Sequence, residues 1–147
     1  MYVQITSDPI QVSEVLASVG SSADGAILLF TGIVRNHSEG QPVTAVQYEA
    51  YRGMAEQVLR EIAQEASERL GTDRLAVVHR VGDLAVGDVS VAIAVSSPHR
   101  AESFAACRYV IEEIKVRLPV WKRERFVGGE ARWAPGRALA PSPAAGV

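Results

Sequence analysis

Lysine is scarce in this chain. Of 15 basic side chains only Lys115 and Lys122 are lysines, and the other 13 are arginines. A compositional drift toward Arg, Ala and Val explains the scarcity. It does not explain why both lysines fall within eight residues of each other. Cysteine is rarer still. Cys107 stands alone, which excludes an internal disulfide and a cysteine-based zinc site. The three histidines, His37, His79 and His99, are far apart and lack metal-ligand spacing. No apolar run approaches the roughly 18 residues that suggest a membrane span. The N-terminal segment has neither the apolar length nor the basic flank of a signal peptide. The formal net charge is −2, without the broad basic field of a nucleic-acid binder. These absences predict a soluble, cytoplasmic protein with no nucleic-acid or membrane partner and no cysteine-based metal site; no metal and no cofactor are expected.

What is present is a globular balance: 147 residues, 48% hydrophobic and 22% charged. That length predicts one domain. Residues 1–133 carry periodic patterning, and 134–147 read as a flexible tail rich in Pro, Ala and Gly. Met1 to Thr6 alternates as a strand. Ser7-Asp8-Pro9 predicts a helix start, with Val12, Val15, Leu16 and Val19 as its apolar stripe and Gly20 as its stop. Ala26 to Val34 is a continuous apolar run, as expected of a strand central to a sheet. Gly32 within it suggests a bulge or a close backbone approach. A polar loop over 36–42 leads to a strand from Val43 to Tyr51.

Met54, Val58, Leu59, Ile62, Ala66 and Leu70 follow helical spacing up to Gly71. Strands over 74–81 and 88–96 flank a turn-rich connector at 82–87. A third helix runs from Ala101 to about Arg117 with Phe104, Cys107, Ile111 and Ile114 inward, and Pro119 forbids its continuation. A hairpin over 120–133 turns at Gly128-Gly129. This order predicts an α+β fold with a mostly antiparallel sheet and three main helices.

Charge is unevenly divided. Residues 1–98 hold 6 Arg against 12 Asp or Glu, whereas residues 99–147 hold 9 Lys or Arg against 5 Glu. A local cationic patch on an acidic protein suits a small anion. Three groups of residues could carry chemistry. Ser96-Ser97-Pro98-His99-Arg100 lies where a strand ends and a helix begins, so free amides, His99 and Arg100 can grip a phosphate. Gly32-Ile33-Val34-Arg35 puts a cation at the end of an apolar strand, followed by Asn36 and His37. Lys115 with Leu118-Pro119-Val120-Trp121-Lys122-Arg123-Glu124 pairs two lysines around a proline. Lysine, unlike arginine, can lose its proton at accessible pH, which makes it a candidate base or proton donor. Each group also has a plain reading, as a helix cap, a loop start and a solvated face. Glu49 and Glu124 could be taken for an acid–base pair, but their spacing does not require it, and Glu124 is expected to pair with a local cation. Cys107 is expected in the core.

Four segments together are similar to one family. They are GAILLFTGIVRNHSEG (25–40), VQYEAYRGMAEQVL (46–59), VVHRVGDLAVGDVSVAIAVSSPHR (77–100) and FAACRYVIEEIKVRLPVWKRE (104–124). The chain resembles the large, catalytic subunit of molybdopterin synthase. The resemblance implies an α/β hammerhead-like fold. It also implies a sulfurtransferase that converts cyclic pyranopterin monophosphate into molybdopterin, in molybdenum cofactor biosynthesis. Both sulfurs would come from the C-terminal Gly-Gly thiocarboxylate of a small ubiquitin-like partner. The implied assembly is a homodimer with a small subunit at each end, a heterotetramer. The implied substrate-contacting positions are Ile33, Val34, Arg35, His99, Arg100, Lys115, Lys122, Arg123 and Glu124, with Phe30 at the pocket wall. Lys115 and Lys122 would be catalytic, and Arg35 would serve the site across the dimer interface. Two further classes fit the same patch: a non-catalytic module binding a phosphorylated metabolite, and one that only docks a ubiquitin-like tail.

Overall fold

The computed structural model describes residues 1–133. The expected tail at 134–147 lies outside the described residues. The order is β1 (Tyr2–Thr6), α1 (Val12–Ala17), β2 (Ala26–Ile33), β3 (His37–Ser38), β4 (Gln41–Ala50), α2 (Arg52–Leu70), β5 (Leu75–Arg80), β6 (Gly82–Ala85), β7 (Val89–Ser97), α3 (Arg100–Arg117), β8 (Val120–Phe126) and β9 (Ala131–Trp133). One sheet has the order β1-β5-β7-β2, and a second has the order β3-β4-β8-β9 with β6 beside β4. β1 runs parallel to β5, and the other pairs are antiparallel. The fold is therefore α+β, as the element order predicted.

The main core lies between one face of the first sheet, α2, α3 and the second sheet. Leu59 and Ile62 of α2, Val77 of β5, Ile93 of β7, Val110 and Ile114 of α3 and Val120 of β8 meet there, at 1% exposure or less. A smaller cluster on the sheet's other face joins Ala76, Val78, Ala92 and Ala94 to Val15 of α1. α2 ends as its sequence dictates. Gly71 takes a left-handed φ of 75°, which glycine adopts without a Cβ penalty.

Several expectations are corrected. β2 is an edge strand, not a central one. Leu28 and Phe30 pack on the main core, but Ile27, Leu29 and Ile33 are 53%, 37% and 47% exposed. The helix on that face is too short to reach them. α1 has only six residues and lies over β5 and β7. It also starts at Val12, because Asp8 uses its amide in a local turn onto Thr6 Oγ1 (3.1 Å). Leu16 of its expected stripe is exposed. The connector at 82–87 contains β6, whose Leu84 is buried opposite Val46. The loop at 36–42 contains β3, a short hairpin partner of β4. Phe104 and Met54, expected inward, are exposed. Ser103 takes the inward position beside Phe104, because its hydroxyl bonds that of Ser97.

Candidate active site

The cationic residues expected at the site fall at two ends of the β2–β7 pair. At one end, β2 breaks register between Gly32 and Ile33, a bulge that re-aims the residues after it. The approach is close as well as bulged. A Cβ on Gly32 would stand 2.7 Å from Val91 Cγ1. Val34, 5% exposed, then donates its N–H to Asp88 O (2.9 Å) and accepts from Gly87 N–H (2.8 Å). Arg35 thus leaves the sheet from a pinned backbone, with its own side chain exposed.

Arg35 lines a cavity of about 30 Å³ together with Ile33, Val34, His37, Val46, Tyr48, Lys122 and Glu124. A space of that size fits a water, so a substrate must lie across its mouth. Strand pairing explains the gathering. Lys122 stands opposite Tyr48 and Glu124 opposite Val46, so alternation puts all four on one face of the second sheet. Arg123 faces the other way, 5.8 Å from the centre of the Trp133 ring. Glu49, opposite Trp121, is also on that other face, which removes the Glu49–Glu124 pairing. Glu124 is 7% exposed and accepts a hydrogen bond from Ser38 Oγ (3.1 Å), where a cation was expected. His37 Nδ1 lies 2.9 Å from Asn36 Oδ1. Tyr48 meets His79 edge-on at 5.3 Å, and His79 Nδ1 lies 2.9 Å from the Arg80 carbonyl. No sequence pattern flagged Tyr48 as the neighbour of Lys122, or Ser38 as the partner of Glu124. Strand register sets the first contact, and the placement of β3 beside β4 sets the second.

Lys115 occupies the last turn of α3, where the helix dipole favours a cation. Leu118 caps that helix in an extended conformation, and β8 begins two residues later. The reversal keeps both lysines within a few residues of one corner. The corner is braced by Glu65 of α2. Glu65 accepts from Arg117 Nη1 and Nη2 (2.8 and 2.6 Å) and from the Tyr109 hydroxyl (2.7 Å). Arg117 first, and Tyr109 second, hold the Glu65 carboxyl down at about 2.

His99 and Arg100 stand at the opposite end. His99 is the N-cap of α3, and both side chains are exposed. Ala26 pairs with Ser97, while Ile33 pairs with Val89. The two ends of β2 are therefore about 24 Å apart. Arg100 and Lys115 are likewise separated by about 22 Å of helix. One chain brings together Arg35, Lys122 and Glu124, with Lys115 at the nearby corner, but does not bring His99 and Arg100 to them. Phe30 is half-buried against the main core. Cys107 is 4% exposed, and burial pushes its thiol up to about 11, so it stays protonated. Among the described residues no group of three or more His, Cys, Asp or Glu side chains is placed to hold a metal. No helix among them is long and apolar enough to cross a membrane.

Residues 5–117 match the MoaE protein family. This chain belongs to that family. The "Molybdopterin synthase catalytic subunit" of Nostoc sp. is 41% identical over 130 residues, covering 88% of this chain and 79% of that protein. The protein of the same name from Halalkalibacterium halodurans is 46% identical over 126 residues, covering 86% and 81%. Among solved structures, molybdopterin synthase from Staphylococcus aureus superposes with a TM-score of 0.86 at 37% identity, covering 91% of this chain and 97% of that one. The MoaE match includes Arg35, His99, Arg100 and Lys115, while Lys122 and Glu124 lie just beyond it.

Proposed function

We propose that this chain is the catalytic subunit of a molybdopterin synthase acting in molybdenum cofactor biosynthesis. It is a cytoplasmic sulfurtransferase that converts cyclic pyranopterin monophosphate into molybdopterin. The observation that carries this reading is the clustering of Arg35, Lys122 and Glu124 on one cavity beside the corner that bears Lys115, in a chain of the MoaE family. The sulfur nucleophile is the thiocarboxylate of a small ubiquitin-like partner. Cys107, buried and protonated, is unsuited to carry it. Lys115 steers the incoming thiocarboxylate and assists proton transfer. Lys122 stabilises the anionic charge that develops on the substrate, with Ile33, Val34 and Glu124 around it. Arg123, on the far face, is assigned to the rim rather than to the reacting atoms.

A complete site needs a second copy of the chain. The two edges of the first sheet differ. At β1 the carbonyls of Val3 and Ile5 accept hydrogen bonds from Arg60 and Arg52, which blunts that edge. β2 presents Ile27, Leu29 and Ile33 instead. Two copies paired edge to edge at β2 about a two-fold axis perpendicular to the strand run antiparallel. The Arg35 end of one then lies beside the Ser97–Arg100 turn of the other. Arg35 stays with Lys122 of its own chain, so the residues that cross the interface are His99 and Arg100 of the partner subunit. They hold the phosphate by charge-assisted hydrogen bonds. With a small subunit at each end, the assembly is a heterotetramer.

The test mixes the protein with thiocarboxylated partner and the cyclic substrate and looks for the dithiolene product. Lys115→Ala is expected to abolish product while the circular dichroism spectrum is unchanged. Full turnover by that variant would overturn the assignment.

A further inference from the structure

The side chains of His99 and Arg100 are exposed, so the backbone beneath them sets where they stand. That backbone is tied at successive residues. Ser96 is fully buried and uses every polar group it has. Its N–H donates to Arg74 O (3.0 Å), and its carbonyl accepts from Thr72 Oγ1 (2.6 Å). Its hydroxyl donates to Asp24 Oδ2 (2.9 Å) and accepts from Gly20 N–H (2.8 Å). Asp24, with a side chain only 2% exposed, is held in turn by Arg74 through both Nε and Nη2. The Arg74 guanidinium keeps the Asp24 carboxyl below its ordinary value.

The next residues are gripped from the other side. Gly25 N–H is shared between Ser97 O (3.1 Å) and Pro98 O (3.2 Å). A Cβ at Gly25 would stand 2.6 Å from Pro98 O, a backbone atom that cannot swing away. Ser97 Oγ donates to His99 O (2.6 Å). The pair is buried only on the Asp24 side, with Arg74 32% exposed, and it fixes geometry because the Asp24 carboxylate is costly to leave buried without its partner. Here the geometry fixed is that of the turn leading to His99 and Arg100. None of Asp24, Gly25, Arg74 or Ser96 touches the candidate substrate site itself.

We propose that Asp24, Gly25, Arg74 and Ser96 are positioning residues that set the Ser97–Arg100 turn for binding the substrate's phosphate. The proposal rests on the reading of His99 and Arg100 as anion ligands. Gly25→Ala pushes the turn away from the start of β2. Asp24→Asn removes the charge that orients Arg74 and loosens Ser96. Both changes should weaken phosphate binding without touching the lysine corner.

The experiment uses the full chain with thiocarboxylated partner and measures KM and kcat for the cyclic substrate, with inorganic phosphate as a competitive probe. Gly25→Ala is expected to raise KM at least about tenfold with kcat within about twofold, the signature of lost uniform binding. Asp24→Asn should raise KM about three- to tenfold, with the phosphate inhibition constant rising in parallel. The KM for the partner subunit should be unchanged. If Gly25→Ala does not fold, Asp24→Asn and Ser96→Ala carry the same readout. Wild-type KM and phosphate inhibition in the folded variants, with only a lowered Tm, would overturn the proposal. Arg100→Ala separates the two levels. If it raises KM while Asp24→Asn and Gly25→Ala do not, the positioning role fails alone. If Arg100→Ala changes neither KM nor phosphate inhibition, the anion-ligand reading fails and the proposal with it.

Discussion

Lysine and arginine carry the same charge, but only lysine releases a proton readily. In a chain with 13 arginines, the proposed roles of the two lysines give a reason why arginine does not stand at those positions. Lys115→Arg and Lys122→Arg are therefore expected to keep KM within a few-fold and to lower kcat by about 100-fold or more. Steady-state kinetics with thiocarboxylated partner decides this, and a wild-type kcat in Lys115→Arg would mean that charge alone suffices there. Gly32 makes a different demand. Its Cα faces Val91 so closely that Gly32→Ala should cost about 1–3 kcal/mol by overpacking, read from urea unfolding. At this scale the sequence was partly legible. The lysines and Gly32 announced themselves by rarity and by position in an apolar run. Ser38 did not, because its bond to Glu124 joins residues 86 apart, and nothing local in either segment points to the other.

The elements are held by a few long-range polar contacts as well as by apolar packing. Glu65 joins α2 to the end of α3 through Arg117 and Tyr109, next to the turn that carries Lys115. Its folded-state carboxyl sits at about 2 against an ordinary value of 4.5. A depressed acid stabilises the fold above its unfolded value and loses that contribution as pH falls from about 4.5 toward 2. The group is 33% exposed, so solvent screening reduces the effect to about 1–2 kcal/mol. Glu65→Gln should accordingly lower stability at pH 7 and flatten the acid limb of the stability profile, measured by denaturant unfolding across that range. An acid limb identical to wild type would place the pair's contribution near zero. Most element boundaries were legible from periodicity and from Gly71 and Pro119. The position of β2 was not. An apolar run says that both faces of a strand are to be covered, but the chain itself covers only one face of β2. Likewise β6 hid in a glycine-rich connector, where only Leu84 carries its burial.

At the scale of the whole molecule, the proposed function turns on distance, because the residues assigned to one substrate stand at both ends of β2. If Arg35 and Lys122 at one end and His99 and Arg100 at the other, about 24 Å away, hold one small substrate as proposed, they cannot do so within a single chain. In the proposed dimer, a two-fold axis perpendicular to β2 at its exposed edge would resolve this by making each site from two chains. Leu29→Asp should disrupt the dimer, read by analytical ultracentrifugation, and abolish activity with it. A sharper test mixes Lys115→Ala and Arg100→Ala in equal amounts after dissociation, at a substrate concentration too low for Arg100→Ala alone to turn over. If each site takes Lys115 from one chain and Arg100 from the other, a mixed dimer has one site with both residues intact and one with neither. Random reassortment makes half the dimers mixed, so activity should return to about one quarter of wild type. If instead both residues served the same site from the same chain, every site in every dimer would lack one of them, and mixing would restore nothing.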